Sequence, residues 1–269
     1  MVFSFRDVDT SSRVSYTGSG SSAGRNAVLA GTADFGGSNT IPLTSQIAGK
    51  PKLWSLLSSV SALILTYNVP EAKQQLILNR QTVADIYANK IQWWNDTALA
   101  TLNPGVNLPN KTIRLVYRTD GSGTTNTFLQ ALSTFDPTAG FKVGDTFEWA
   151  FKNDITRALP AKGNSEGSFR VTLNPYSIGY MTPSFANGLP YFKMINKKGK
   201  IVSATSSSVQ AAVAYGVAAG NKNLTTTASF TSPLGNLGNT IDAAADDAWP
   251  MAEFDFYLMF DKYVQFVNL

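Results

Sequence analysis

The sequence predicts an α/β protein, because segments typical of strands alternate along the chain with segments typical of helices. Apolar runs rich in Val, Ile and Leu indicate buried strands. Two Gly/Ser-rich turns, each placed before a predicted helix, are the second observation behind this prediction. Hydrophobic residues make up 43% of the 269 residues, which is enough to build a core and argues against a disordered chain.

The first predicted elements surround the first of these turns. Residues 13–17 alternate polar and apolar side chains, which is typical of a strand. The turn at 18–24 then leads into a helix that we expect at 25–31. Residues 59–67 are apolar and rich in branched side chains, so they predict a buried strand.

Helical patterns dominate the next stretch. Thr82 is the expected N-cap of a helix that continues to Tyr87. Residues 93–96 open a second short helix, which ends at 103–105, where the sequence reads Asn-Pro-Gly. A strand is predicted at 113–117, and it runs directly into the second Gly/Ser-rich turn.

The last elements are predicted with the same criteria. A helix follows the second turn through residues 128–132, and a strand is expected at 177–181. Residues 209–217 predict another helix. The stretch at 220–240 is rich in Asn, Thr, Gly and Ser and is expected to be a loop. A late strand is predicted at 254–260, returning to the first part of the fold.

The composition excludes several kinds of site. The chain has no histidine and no cysteine, which rules out Ser-His-Asp and Cys-His nucleophiles, disulfides, and zinc, copper or iron–sulfur centres held by those side chains. The P-loop motif is absent as well. We therefore expect no enzyme, no cofactor and no metal. Charged residues are only 15% of the chain, so Ser, Thr, Asn and Gly must supply much of the surface.

The net charge of +4 suits a small anionic ligand or an acidic surface. Nucleic-acid binding would require clustered Lys and Arg, and the single basic cluster, Lys197 to Lys200, is better explained as a hairpin turn. No apolar run approaches the ~18 residues of a membrane span. The first residues do not resemble a signal peptide, so a signal would have to precede them or have been removed.

The two Gly/Ser-rich turns, at 18–24 and 120–125, are the candidate binding segments. Each is expected to join a strand to a helix N-terminus, where free backbone N–H groups and a partial positive charge attract an anion. Arg118, at the end of the preceding strand, offers a planar pair of donors to the same anion. Either turn alone is more often structural, but Arg118 followed by Asp-Gly-Ser-Gly-Thr-Thr is more specific, and the pair of turns favours oxyanion binding.

Other motifs in the sequence offer alternatives to an oxyanion site. Gly18-x-Gly20-x-x-Ala23 formally fits a dinucleotide fingerprint, but Asn39 stands where that motif requires an acidic residue. Asp246-Asp247 is expected on a loop surface or at a helix cap rather than in a metal site. Tryptophans could stack on sugars, although core packing is the commoner role. Three Asn-x-Thr sequons, at Asn95, Asn110 and Asn223, are possible glycosylation sites.

The ordered set of motifs resembles the phosphate-binding proteins of phosphate ABC transporters, the PstS-like family of the type II periplasmic-binding-protein fold. The Arg-x-Asp-Gly-Ser-Gly-Thr segment that starts at Arg118 is the most specific match. The other matches appear in family order over most of the chain, and they lie at 16–24, 34–38, 67–70, 86–91, 94–96, 102–105, 108–109, 178–180 and 247–250.

This resemblance implies two α/β lobes with phosphate held between them. Lobe I would comprise residues 1–66, with 245–269 returning to it, and lobe II residues 67–244. The implied phosphate contacts fall on Ser21, Ser22 and the position of Asn39 in the first lobe, and on Arg118, Ser122, Gly123 and Thr124 in the second. Asp120 would orient the Arg118 side chain.

Two departures from the family pattern matter. The family has an aspartate, which accepts the proton of hydrogen phosphate, where this chain has Asn39, so we expect weaker discrimination of phosphate from sulfate. The family's opening strand has no match before Arg13, and its closing helices have none after Phe260. The first lobe is therefore expected to be incomplete at both ends, and to be completed by further chain or by a neighbouring copy.

The sequence thus favours a non-catalytic, extracytoplasmic protein that binds inorganic phosphate or a similar oxyanion such as sulfate. The alternative is an extracellular structural or assembly module that reuses the fold, exchanges strands between subunits and has a weak or empty anion site.

Overall fold

The computed structural model describes residues 13–147, 156–219 and 240–261. Strands and helices alternate in it, as predicted. The strands are β1 (Gly36–Ser38), β2 (Leu53–Ala62), β3 (Ile64–Asn68), β4 (Ile77–Asn79), β5 (Arg114–Arg118), β6 (Ala158–Ala161), β7 (Ser177–Met181), β8 (Lys193–Ile195), β9 (Ile201–Val202) and β10 (Ala252–Phe260). The helices are α1 (Ser21–Leu29), α2 (Thr44–Ile47), α3 (Arg80–Tyr87), α4 (Thr97–Leu102), α5 (Gly123–Phe135), α6 (Gly163–Leu173) and α7 (Ser206–Ala219), and a 3-10 turn spans Pro183–Phe185.

The largest sheet has the strand order β3-β7-β5-β6 and carries the main core. β5 pairs in parallel with β6 and β7, and β3 pairs antiparallel with β7. Helix α6 packs on this sheet, and α5 contacts β7. Leu115, Ile178 and Phe128 are fully buried there. Because parallel strands place their carboxyl ends at one edge, β5 delivers Arg118 and the turn after it to that edge.

A second sheet, ordered β1-β10-β2, joins distant parts of the chain. The nine-residue β10 lies between β1 and β2 and pairs antiparallel with both. Helix α1 packs directly on β1, where a Cβ added to Gly36 would lie 2.6 Å from the Gly24 carbonyl oxygen. That close approach requires glycine at the β1 position. A third, smaller sheet is ordered β4-β8-β9.

Several predicted elements are confirmed. The strands predicted at 113–117 and 177–181 are β5 and β7, and the late strand predicted at 254–260 is β10, which pairs with β1 and β2. The predicted helix at 209–217 lies inside α7. Lys197 to Lys200 forms the turn between β8 and β9. The predicted loop at 220–240 lies outside the described residues, apart from residue 240.

The predicted strand at 13–17 is wrong. These residues are neither helix nor strand, and Tyr16 is 67% exposed, so their alternating pattern has no face to bury. The dinucleotide fingerprint therefore lacks the strand that it needs before its first glycine. The predicted strand at 59–67 is only partly right, because β2 begins earlier and Leu63 separates it from β3.

Two predicted helix starts also need correction. The first helix begins at Ser21, four residues before the predicted start, so the Gly/Ser-rich turn supplies its first residues. Thr82 is not an N-cap: Asn79 is, and its side chain accepts from the Thr82 amide while the Thr82 hydroxyl accepts from the Asn79 amide. At α3 the side chains of Asn79 and Thr82 replace missing backbone partners, whereas α1 has no side-chain cap and leaves amides of its first turn available.

Within the described ranges, no helix has the length and apolar character that crossing a membrane would demand.

Candidate functional site

The N-termini of α1 and α5 face each other, which brings the two Gly/Ser-rich turns together. A Cβ added to Gly123 would lie 2.6 Å from the Ser21 Oγ and 2.5 Å from the Asn39 Cβ. Gly20, the N-cap of α1, has φ 91° and has no room for a side chain against Asp120 and the Gly121 carbonyl. The structure therefore places Ser21, Asn39 and Gly123 at one point, although they are far apart in sequence.

Free backbone donors collect where the two helices begin. The amide N–H groups of Ser21 and Ala23 in α1, and of Gly123 and Thr124 in α5, have no acceptor among the described residues. Ser122 is the N-cap of α5 and accepts from the Thr125 amide at 3.2 Å, which leaves its own O–H free to donate. Two helix N-termini that present free N–H groups to one point form a favourable place for an anion.

Arg118 provides the positive charge beside these helix ends. Its side chain is 7% exposed. Asp120 binds its Nε at 2.7 Å and also its Nη2, while the Asn164 side chain accepts from Nη1. The Nη1 and Nη2 groups each carry a second N–H that has no acceptor in the described part of the chain. Asp120 therefore fixes the orientation of the guanidinium and leaves one edge available to a ligand.

The ionisation of Asp120 follows from this pairing. Burial raises its pKa, but the hydrogen bonds from Arg118 and from the Gly163 amide, together with the positive charge of Arg118, outweigh burial and lower the pKa below its usual value. Asp120 is therefore ionised at neutral pH and remains paired with Arg118. The Arg118 amide donates to the Tyr180 hydroxyl at 3.1 Å, which holds the end of β5 in place.

Four groups connect the α1 turn directly to the α5 side, and we call them the latch: Ser22, Arg25, Gly121 and Asp145. The Ser22 amide donates to the Gly121 carbonyl at 3.0 Å, and the Ser22 hydroxyl donates to Asp145 at 2.7 Å. Arg25 forms a salt bridge with the same carboxylate at 2.6 Å. Both donors of Ser22 are therefore used, so the implied Ser22 contact with an anion remains a prediction and its observed role is to join the two turns.

Asn39 is held by β10. Its side-chain Nδ2 donates to the Asp255 carboxylate at 2.6 Å and to the Phe254 carbonyl at 3.2 Å. Burial raises the pKa of Asp255, and the hydrogen bonds from Ser59 and Asn39 offset that rise only in part. A carboxylate is thus present close to position 39, but it comes from another strand and is bound to the amide that replaces the family's aspartate.

Glu253, also on β10, is the second carboxyl near the site. It is 1% exposed, and neither of its oxygens has a well-aligned hydrogen-bond partner in the described residues. Burial, together with the negative charge of Asp255, raises the pKa of Glu253 to about 8. Arg118 and the hydroxyls of Ser61 and Thr124 lie near enough to oppose that rise.

The structure thus brings the predicted site residues into one place, and it adds others that sequence reasoning missed: Arg25, Asp145, Asn164, Glu253 and Asp255. Asn164 had a detectable signal, because β6 is followed after one residue by a helix that begins Gly-Asn-Ser, a strand-to-helix junction similar to the one after Arg118. The others reach the site through long-range packing and had no local signal.

Other candidate residues are placed as follows. Asp246 and Asp247 are exposed in a loop, as expected, and the described residues contain no group of three or more side chains suited to a metal ion. Trp94 and Trp249 are buried in the core. Asn95 and Asn110 are exposed, Asn223 lies outside the described residues, and glycosylation of all three stays a prediction. The chain before Arg13 and after Asp261, where family segments are expected to be missing, also lies outside them.

Comparison with known proteins gives concordant results. The model of the family described as "PBP superfamily domain" matches residues 4–247. A phosphate-binding protein PstS of Pasteurella multocida is 31% identical over 263 residues, covering 95% of this chain and 70% of that protein. A phosphate-binding protein PstS of Methanocaldococcus jannaschii is 32% identical over 272 residues, covering 93% of this chain and 65% of that protein.

Solved structures share the fold. A phosphate-binding protein from Stenotrophomonas maltophilia superposes with a TM-score of 0.68 at 19% identity, covering 91% of this chain and 71% of that one. These relatives are binding proteins rather than enzymes. The fold predicted from the resemblance, of the type II periplasmic-binding-protein kind, is thereby confirmed. The family model and the PstS relatives agree with the Arg118 segment and the facing helix N-termini. The chain belongs to the periplasmic-binding-protein superfamily and, within it, to the family of PstS phosphate-binding proteins.

Proposed function

We propose that the chain binds inorganic phosphate, or a similar tetrahedral oxyanion, between the N-termini of α1 and α5. The observation that carries this proposal is the convergence of two free helix N-termini beside Arg118, whose guanidinium is oriented by Asp120. Backbone N–H groups and hydroxyls stabilise an anion through hydrogen bonds alone, so the role we propose is binding without catalysis.

The proposed contacts divide between the two turns. Ser21 donates from the α1 side through its amide and hydroxyl. Ser122, Gly123 and Thr124 donate from the α5 side, and Arg118 contributes the free edge of its guanidinium. Asp120 does not touch the anion but keeps Arg118 in position. In this proposal the residues contributed by α1, β1 and β10 form one lobe and those contributed by β5 and α5 the other, with closure trapping the anion.

The relatives give the proposal its setting. PstS proteins are phosphate-binding proteins by name, and an extracytoplasmic location for this chain is inferred from them. They favour a binding role over a structural module. Completion of the first lobe by a neighbouring copy, and binding of sulfate, stay predictions.

The test is calorimetric titration of the wild-type chain and of Arg118→Ala with inorganic phosphate. A charge-assisted hydrogen-bonded contact contributes about 1.5–3 kcal/mol, so Arg118→Ala is expected to weaken binding about 10- to 100-fold. That change leaves the carboxylate of Asp120 without its cationic partner. The double variant Arg118→Ala with Asp120→Asn removes both charges and serves as a second measurement. The absence of binding by the wild type, or binding by both variants with wild-type affinity, contradicts the proposal.

Position 39 is expected to set the selectivity between phosphate and sulfate. An aspartate there can accept a hydrogen bond from the protonated oxygen of hydrogen phosphate, and it repels sulfate, which has no proton to donate. Asn39→Asp alone places two carboxylates in contact, since Asn39 lies 2.6 Å from Asp255. The exchange Asn39→Asp with Asp255→Asn keeps the local charge and restores the acid.

We expect the exchanged pair to raise the ratio of phosphate to sulfate affinity by about tenfold or more, and the single variant to raise it less, since a hydrogen bond to a charged group contributes about 1.5–3 kcal/mol. Calorimetry with each anion at one pH measures the ratio. An unchanged ratio in both variants would show that position 39 does not control selectivity.

A further inference from the structure

Glu253 is a buried carboxyl that is not among the proposed phosphate contacts. It lies on β10 opposite Ser61 of β2, and it is 1% exposed. Neither its oxygens nor the Ser61 hydroxyl has a well-aligned hydrogen-bond partner among the described residues. A buried carboxyl without a well-aligned hydrogen-bond partner lowers the stability of the fold, which suggests that Glu253 has a functional role.

The surroundings of Glu253 place it at the anion site. The next residue of β10, Phe254, accepts a hydrogen bond from the Asn39 side chain at 3.2 Å, and a Cβ added to Gly123 at the start of α5 would lie 2.5 Å from the Asn39 Cβ. Arg118 and the Thr124 hydroxyl also act on the pKa of Glu253. Asp255 follows two residues later on the same strand, so the two acidic side chains share one face of β10. Glu253 therefore lies on the part of β10 that borders the groups that we propose bind phosphate.

The charges near the site do not balance if Glu253 is ionised. Arg118 is paired with Asp120, and Arg25 with Asp145. Asp255 is hydrogen-bonded to Ser59 and Asn39 but forms no salt bridge in the described structure. An ionised Glu253 would add a second carboxylate without a cation, in a region of low dielectric constant, next to an arriving anion.

We infer that the protonation of Glu253 controls the affinity of the site: an oxyanion binds to the form in which Glu253 is neutral, and loss of that proton weakens its binding. This inference rests on the proposed function. A neutral carboxyl keeps an O–H group that can donate to an anion oxygen, and it removes the repulsion of a carboxylate. The donor comes from the protein, so the anion itself needs no proton.

The direction of the titration agrees with this role. Burial and Asp255 raise the pKa of Glu253 to about 8, so the carboxyl is largely neutral near pH 7 and ionises just above it. A bound anion raises that pKa further, so binding above pH 8 takes up a proton. Linkage then limits the loss of affinity to about tenfold per pH unit.

The experiment is calorimetric titration with inorganic phosphate from about pH 6 to about pH 9.5, on wild type, Glu253→Gln and Glu71→Gln. Gln mimics the neutral carboxyl in size and polarity. Glu71 is exposed and bound to the Tyr176 hydroxyl, so it controls for the same chemical change away from the site. The ionisation of phosphate is common to all three proteins and cancels from the ratio of their affinities.

We expect wild type and Glu253→Gln to bind alike near pH 6 and to diverge above pH 8, with the variant binding about tenfold more tightly at about pH 9.5. Glu71→Gln should follow wild type. Titrations in two buffers of different ionisation enthalpy count the protons taken up, and wild type should take up more than Glu253→Gln at high pH.

The contrary outcomes are distinct. If wild type binds phosphate but its affinity changes with pH in parallel with Glu253→Gln, this inference fails while the proposed function stands. If Glu253→Gln loses binding at every pH while remaining folded, an ionised Glu253 is the active form and the inference is again wrong. If wild type binds no phosphate at any pH, the proposed function fails, and the inference with it.

Discussion

Replacing Gly123 with alanine is expected to weaken phosphate binding about 10- to 100-fold while leaving the fold intact. The added Cβ would lie 2.5 Å from the Asn39 Cβ, 2.6 Å from the Ser21 Oγ and 2.8 Å from the Asn39 Oδ1. Gly123 is the first residue of α5 and does not have a positive φ, so the helix itself accepts alanine. The two turns must instead move apart, and such overpacking costs about 1–3 kcal/mol.

Calorimetry with phosphate and thermal unfolding together check this prediction. The matched control is Gly167→Ala in α6, because a Cβ there meets nothing within 4 Å. Replacing that glycine in a helix should raise stability by about 0.5–1 kcal/mol and leave phosphate affinity unchanged. Wild-type affinity in Gly123→Ala would mean that the close approach of the two turns is irrelevant to binding.

Glu253→Gln is expected to make the ligand-free protein more stable than wild type at about pH 8, and no more stable near pH 4.5. The pKa of Glu253 is raised in the folded protein from 4.5 to about 8, since burial penalises the charged form. The contribution of this carboxyl to stability is therefore complete below about pH 4.5 and is lost as pH rises to about 8. Glutamine does not ionise and escapes that loss.

The size of this effect is about 3–5 kcal/mol at pH 8, since each unit of pKa difference corresponds to about 1.36 kcal/mol. Asp255, whose pKa is also raised, and Asp120, whose pKa is lowered, are present in both proteins, so their contributions largely cancel. Urea unfolding at several pH values measures the difference, with Glu71→Gln as the control. Parallel stability curves for wild type and Glu253→Gln would contradict the prediction.

The parts of the site that sequence reasoning found are those that local chain geometry creates. Arg118, Asp120 and Ser122 lie within five residues, and a strand that ends in a Gly-rich turn before a helix places them together. The departure at Asn39 was also visible, because it interrupts a recognisable segment.

The missed residues depend on contacts that no local pattern encodes. Asn39 meets Asp255 across 216 positions, and Arg25 meets Asp145 across 120. The first of these pairs exists because β10 inserts between β1 and β2. The opposite error, the strand predicted at 13–17, has the same origin: alternation indicates a strand only where another strand pairs with it, and no described strand does.

The latch also has a kinetic consequence. Its hydrogen bonds and its salt bridge join protein groups on both sides, so part of the free energy that holds the two turns together is independent of the anion. An anion that must wait for these contacts to break enters at a rate set by the opening of the protein rather than by diffusion. Substitutions of Arg25 or Asp145 that weaken their salt bridge would then increase the rates of both anion binding and anion release.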